Sequence, residues 1–96
     1  MSDAAPDPLA MRPCVARLYR LQWEEAQQAH GLLFPEGIVK LNRSAGEILR
    51  RCDGERTTGQ IITELETAFG AAALGAEVCA FLEFAVEKRW VEWRNA

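Results

Sequence analysis

Apolar and polar residues alternate with period two in the first half of the chain, and this pattern predicts three β-strands. The second strand, over about residues 29–34, and the third, over about 37–41, flank Pro35 and Gly37. These two residues occupy the second and fourth positions of a type I turn. The first strand is expected over residues 14–23, and the side chains on one of its faces are those of Val15, Arg17, Tyr19, Leu21 and Trp23. A simple meander of these strands places the third at a sheet edge.

The second and third strands are apolar on both faces. Leu33 points opposite to Leu32, and Ile38 points opposite to Val39 and Leu41. A sheet that packs one face on helices needs only one apolar face. The other apolar face is therefore expected to be covered by something else.

Three amphipathic helices are predicted in the second half of the chain. The Ser44–Glu47 spacing is that of a capping box, and the first helix is expected over about residues 44–52, before a stop at Gly54 in the left-handed conformation. A second capping box, beginning at Thr57, opens a helix that ends at Gly70. The third helix is expected from about 74 or 76 to 89, and residues 90–93 either add an extended segment or continue it.

The third helix has a wider apolar arc than one sheet face or two short helices usually cover. Phe84 falls beside Phe81 on one flank of the core stripe, and Val86 and Trp90 fall on the other. Either a dimer partner or the tail covers the surplus, or the surplus lines a groove for another chain. The residues alone leave both interpretations open.

The order of elements predicts an α+β, winged-helix-like fold, in which a three-stranded antiparallel sheet is followed by three helices. Residues 1–13 contain three prolines and are expected to form a flexible N-terminal arm. Residues 14–94 are expected to form a single domain, since a chain of 96 residues with 49% hydrophobic residues supports one modest core.

Composition narrows the possible partners and locations. The net charge of −3 disfavours nucleic acid, although Arg43, Arg50, Arg51 and Arg56 lie near one another in sequence as a local basic patch. A solvated helix face is the simpler interpretation of those arginines. No apolar run is long enough to span a bilayer, and the first residues lack a signal-peptide pattern, so we expect no membrane association and a cytoplasmic location.

No pattern in the chain points to catalysis, a metal or a cofactor. The three cysteines, Cys14, Cys52 and Cys79, are scattered and none has C-x-x-C spacing, and His30 is the only histidine. No histidine lies beside a nucleophile, and paired-carboxylate and glycine-rich phosphate motifs are absent. We therefore expect a binding protein rather than an enzyme.

The order of motifs from residue 33 to residue 57 resembles the signature of the PqqD family of pyrroloquinoline quinone biosynthesis. The residues that carry this resemblance are Leu33, Pro35-Glu36-Gly37, Leu41-Asn42, Ser44-Ala45, Glu47-Ile48-Leu49, Cys52-Asp53-Gly54 and Thr57. The resemblance covers about residues 13–91. The alanine-rich segment 69–75 departs from the pattern and makes the start of the third helix uncertain.

The resemblance implies a peptide chaperone, or RiPP recognition element, that acts without a cofactor. Such proteins bind the precursor peptide PqqA and present it to the radical SAM enzyme PqqE, which joins a glutamate and a tyrosine of the peptide. In related domains the peptide adds a strand to the third strand and packs on the third helix. The positions that this implies here as peptide-binding are Ile38, Val39, Lys40, Leu41, Phe81, Phe84 and Lys88.

Two other functions are compatible with a winged-helix-like fold. A DNA-binding regulator needs a basic recognition helix, yet the second helix carries Glu64 and Glu66 and no lysine or arginine between Gln60 and Phe69. A dimerisation module would use the surplus apolar surface as its own interface. A homodimer is also compatible with peptide binding.

Overall fold

The computed structural model describes residues 7–94, and the elements below belong to that part of the chain. A short 3₁₀ helix, Pro8–Ala10, precedes five strands and three helices. The strands are β1 (Arg12–Val15), β2 (Arg20–Glu24), β3 (Ala29–Phe34), β4 (Gly37–Lys40) and β5 (Val91–Arg94), and the helices are α1 (Arg43–Leu49), α2 (Thr58–Phe69) and α3 (Gly75–Glu87). None of the helices within residues 7–94 has the length and apolarity needed to cross a membrane.

The predicted fold class is confirmed. β2, β3 and β4 form a three-stranded antiparallel sheet in that order, followed by three helices in a winged-helix-like arrangement. The turn between β3 and β4 has two residues, since Phe34 is the register partner of Gly37. β4 therefore lies at one edge of this sheet and β2 at the other.

The prediction of a single first strand over residues 14–23 was wrong. The segment forms two strands in different sheets, because β1 pairs with β5 at the far end of the chain instead of continuing into β2. The Ala16 N–H donates to the Trp90 carbonyl at 2.8 Å, and the chain then turns through Leu18, which is 73% exposed. Residues 8–13, expected in the arm, form the 3₁₀ helix and the start of β1, with Pro13 fully buried; residues 1–6 lie outside the described part.

The helix ends differ from the sequence expectation in two places. Asn42, not Ser44, is the N-cap of α1, and its Oδ1 accepts the Ala45 N–H at 2.8 Å. α1 ends at Leu49 rather than at residue 52, although Gly54 has the expected positive φ of 79°. The expected capping box of α2 is confirmed, because Thr57 and Gln60 bond each other's backbone N–H groups.

The chain after α3 turns back to the sheet. The helix ends at Glu87, and Arg89, with φ of 68°, redirects the chain into β5, so residues 90–93 are extended rather than helical. This turn brings the Trp90 ring to 5.4 Å from the Phe84 ring. Trp90 therefore shares the flank of Phe84, and its expected place on the opposite flank was wrong.

The core lies between the inner face of the three-stranded sheet and the three helices. Its fully buried side chains come from every layer and include Leu32, Leu49, Ile61, Leu65, Leu82 and Val91. α1 sits close on β3, since a Cβ on Gly46 would lie 2.7 Å from the His30 Nδ1 atom. Only glycine allows this approach, which fixes α1 beside the end of β4.

Candidate functional site

An apolar cleft of about 250 Å³ opens where the start of α1, the end of α2 and the start of α3 meet. The polar side chains along it are those of Asn42, Ser44 and Glu77. Asn42 follows the last residue of β4 by two positions, so the cleft adjoins the end of that strand. The apolar lining consists of Ala45, Ile48, Leu65, Phe69, Leu74, Val78 and Phe81.

Two side chains at the helix ends fix the walls of the cleft. Asn42 caps α1, as described above, and this bond holds the chain where it leaves β4. The Glu66 Oε2 atom accepts the N–H of Leu74, the N-cap residue of α3, at 3.0 Å. α2 and α3 are thereby joined across the loop in which Ala73 adopts a φ of 61°.

An aromatic row continues from the cleft along α3. The rings of Phe81 and Phe84 lie 6.3 Å apart, and the Lys88 Nζ atom lies 5.5 Å from the centre of the Phe84 ring. Phe84 is 45% exposed even though its ring meets Trp90 edge to face. One side of the row is therefore packed against the protein, and its other side is an open apolar surface.

The β4 edge, whose end adjoins the cleft, offers backbone groups for pairing. The Leu41 N–H donates to the His30 carbonyl at 3.1 Å, so Leu41 and, by the alternation of an antiparallel ladder, Val39 face β3. The N–H and C=O groups of Ile38 and Lys40 consequently point away from the sheet. An extended chain can pair with such groups as an added strand.

The structure brings only some of the sequence-predicted site side chains together. Phe81 lines the cleft, and Phe84 and Lys88 lie on the same row of α3. Leu41 is buried in the core, and Val39 is half-buried against it. Ile38 and Lys40 lie on the outer face of the sheet, where they line a separate depression of about 210 Å³ over Gly31.

The cluster of arginines is largely neutralised by acidic neighbours. Arg51 is buried and donates to Glu47 at 2.8 Å and to Glu64 at 3.2 Å, and Arg56 donates to Glu64 at 2.8 Å. The bond from Arg56 lowers the pKa of Glu64, and the bond from Arg51 lowers the pKa of Glu47. The expectation of a solvated helix face fails for Arg51, whose bonds join α1 to α2. Paired arginines do not supply the basic stripe of a DNA reader.

Reactive groups are not gathered at any site in the described residues. Burial raises the pKa of the Cys52 thiol to about 12, so it remains protonated at neutral pH. Within residues 7–94 no three His, Cys, Asp or Glu side chains are grouped as a metal site. The arrangement can bind an extended apolar chain, and it offers no machinery for changing one.

Sequence reasoning missed most of the cleft lining. Phe69, the last residue of α2, was not expected at a site, yet it lines the cleft and is 37% exposed. Glu77 was not singled out, although it stands one helical turn before Phe81 and shares its face. That spacing was the one signal in the sequence that could have found Glu77.

Comparison with known proteins agrees with this description. Residues 30–91 match the family described as Coenzyme PQQ synthesis protein D (PqqD). A protein of Stutzerimonas stutzeri named PqqA binding protein is 45% identical over 87 residues, which cover 90% of this chain and 95% of that one. A protein of the same name from Pseudomonas fluorescens is 49% identical over 75 residues, covering 77% and 82%.

A solved structure has the same fold. It is the solution NMR structure of the PqqD truncation of Methylobacterium extorquens PqqCD, described as a functional and stand-alone RiPP recognition element. Its TM-score is 0.69 at 32% identity, over 83% of this chain and 87% of that one. The sequence matches and the shared fold show that this chain belongs to the PqqD family, a family of recognition elements rather than enzymes.

Proposed function

We propose that this chain binds the precursor peptide PqqA as an added strand along β4 and presents it to the radical SAM enzyme PqqE. The observation that carries the proposal is the free edge of β4 beside the apolar cleft and the aromatic row of α3. Backbone pairing supplies an affinity that is independent of peptide sequence, and the cleft and the row select apolar side chains. The names of the curated relatives support PqqA as the peptide.

The first test maps the peptide on the protein. We expect synthetic PqqA to shift the backbone amide signals of β4 and of the α3 row when it is added to ¹⁵N-labelled protein. β2 is the matched control, because it is the other free edge of the same sheet and lacks the cleft. Shifts confined to β2, or no shifts at concentrations well above micromolar, would contradict the proposal.

The second test separates backbone pairing from side-chain contact at one position. Lys40→Pro removes an N–H that points away from β3, so the ladder between β3 and β4 stays intact. Lys40→Ala removes the side chain and keeps that N–H. We expect the proline variant to lose PqqA binding and the alanine variant to keep it. Equal affinities for the two variants would exclude strand addition at this edge.

Presentation to PqqE is tested by turnover. We expect PqqE to modify PqqA faster when this protein is present, and the Lys40→Pro variant to lose that gain while Lys40→Ala retains it. A rate that does not depend on this protein would contradict the presentation step and leave PqqA binding in place. A homodimer would cover the same apolar row, so size-exclusion over a concentration series, with and without PqqA, measures whether self-association competes with the peptide.

A further inference from the structure

Building on the proposed function, we infer that Glu77 and Lys88 select the charges of the bound peptide and fix the direction in which it runs. The two side chains stand at opposite ends of the aromatic row. Glu77 would pair with a basic side chain of the peptide and Lys88 with an acidic one. The peptide segment that this arrangement fits has an apolar stretch between the two charges.

The four residues Glu77, Phe81, Phe84 and Lys88 follow one another at helical spacings of four, three and four positions. Residues with those spacings share one face of a helix. Contacts agree: Glu77 and Phe81 line the same cleft, the rings of Phe81 and Phe84 are 6.3 Å apart, and Lys88 lies over the Phe84 ring. The stripe therefore has a negative end, an apolar middle and a positive end.

The length of this stripe predicts how far apart the two charged residues lie on the peptide. Eleven residues of α-helix rise by about 16 Å, and an extended strand advances about 3.3 Å per residue. A basic and an acidic side chain about five residues apart on the peptide therefore match the two ends of the stripe.

The two charges are available for a partner. Among the described residues, the ion pairs involve arginines of the segment between α1 and α2, and none includes Glu77 or Lys88. Lys88 is held over an aromatic face that is itself partly open. Both ends are thus ready to bind an opposite charge without breaking an existing pair.

Contacts also fix how the stripe lies relative to β4. The Glu77 end adjoins Asn42, just after the last residue of β4. At the other end, Phe84 touches Trp90, whose carbonyl bonds to Ala16, and the turn after Ala16 leads to Tyr19. The Tyr19 ring lies 5.4 Å from Phe34, the residue that opens the turn into β4.

The stripe therefore runs from Glu77, near the end of β4, towards the side of the domain on which β4 begins. An added strand antiparallel to β4 starts at the Glu77 end. Antiparallel pairing is the more stable arrangement per residue. We thus expect the basic residue of the peptide to precede the acidic one.

The experiment is a set of double-mutant cycles between protein and peptide, read as dissociation constants from calorimetry. The probes are synthetic PqqA and versions of it in which one basic or one acidic residue at a time is neutralised. Glu77→Gln and Lys88→Gln are the protein variants. Glu83→Gln and Glu87→Gln, exposed on the adjoining face of α3, are the matched controls.

We expect neutralising one basic residue to weaken binding up to about fivefold on the parent protein and not on Glu77→Gln, since exposed pairs are modest. An acidic residue about five positions later should couple to Lys88 in the same way. The double exchange Glu77→Lys with Lys88→Glu should prefer a peptide in which the two charges are swapped. The control variants should show no coupling.

Three outcomes overturn the inference. Binding that needs Phe84 but shows no coupling at either charge would leave the proposed function standing and refute charge selection. Coupling with the acidic residue ahead of the basic one would refute the direction. Glu77 near the start of α3 and Lys88 just after its end also interact favourably with the helix dipole. If that were their only role, Glu77→Gln and Lys88→Gln would lower the melting temperature without any coupling to the peptide, and this too would refute the inference. Absence of PqqA binding by the parent protein would overturn the proposed function itself.

Discussion

Replacing Phe84 by alanine tests the aromatic row most directly, because the structure separates the effect on stability from the effect on binding. Phe84 is 45% exposed, so its neighbours cover a little more than half of it. An aromatic side chain buries about 150–250 Å² when fully covered, and the covered half is then worth about 2–3 kcal/mol at about 25 cal/mol/Å². Allowing for residual burial in the unfolded chain, we expect a loss of about 2 kcal/mol in the free energy of unfolding.

That value is larger than the predicted place of Phe84 on the flank of the core stripe suggests. The larger value follows from the edge-to-face contact with Trp90 and from the Lys88 side chain over the ring. The uncovered part of Phe84 is the part that a peptide can bury. Covering it is worth about 2 kcal/mol, so Phe84→Ala should weaken PqqA binding by about thirtyfold.

The assay pairs urea unfolding, followed by circular dichroism, with calorimetric titration of PqqA under conditions where every variant is folded. Ile61→Val is the control, because Ile61 is fully buried in α2 and this change costs about 0.5–1.5 kcal/mol. It should lower stability and leave the dissociation constant unchanged. If Phe84→Ala binds PqqA within twofold of the parent, Phe84 is not part of the site and the argument from its exposed face fails.

Gly54→Val should lower the free energy of unfolding by about 1–2 kcal/mol in urea titrations, because Gly54 has a φ of 79°. Gly70→Val is the control for the backbone cost alone, since Gly70 has a φ of 60° and no atom lies within 4 Å of the new Cβ. An unchanged midpoint for Gly54→Val would contradict this. Because the folded pKa of Glu64 lies below the unfolded value of 4.5, its contribution is complete above that pH and is lost as pH falls through the folded pKa. Melting temperatures between pH 6 and 3 should therefore fall less for Glu64→Gln than for the parent, and equal slopes would show that the Arg56 pair is not coupled to folding. Cys52, with its pKa raised to about 12, should not react with a thiol reagent at pH 8 until the protein is unfolded, whereas the partly exposed Cys14 and Cys79 should react in the folded protein. Reaction of all three thiols in the folded protein would refute the burial of Cys52.

Local patterns predicted the elements whose partners are close in sequence. The β3–β4 hairpin follows from Pro35 and Gly37, and the start of α2 follows from the capping box at Thr57. Each depends on bonds among residues within a few positions of one another. The predicted cap at Ser44 was wrong although it too rested on local spacing, because an asparagine side chain such as that of Asn42 accepts an N–H at the start of a helix as readily as a serine.

Patterns failed where a distant segment decides the outcome. The alternation over residues 14–23 continues across the turn at Leu18, and only β5, at the other end of the chain, shows that β1 belongs to another sheet. The cleft likewise depends on distant segments, because Ala45, Leu65 and Val78 in its lining come from three different helices. Sequence placed the aromatic row on α3 through helical spacing, but it did not show that the side chains of Ile38 and Lys40 face the outer side of the sheet.

The pairing of β1 with β5 has a consequence for how this protein can be tethered. Arg12 is the register partner of Arg94, so the start of β1 and the end of β5 lie side by side. A second protein joined directly before β1 or directly after β5 would begin at nearly the same place relative to α3. A linker of given length would then have the same reach to the aromatic row in either gene order. The start of β1 and the end of β5 could also be joined by a short loop, and a new opening at residues 71–72, which are exposed between α2 and α3, would leave both sheets uncut.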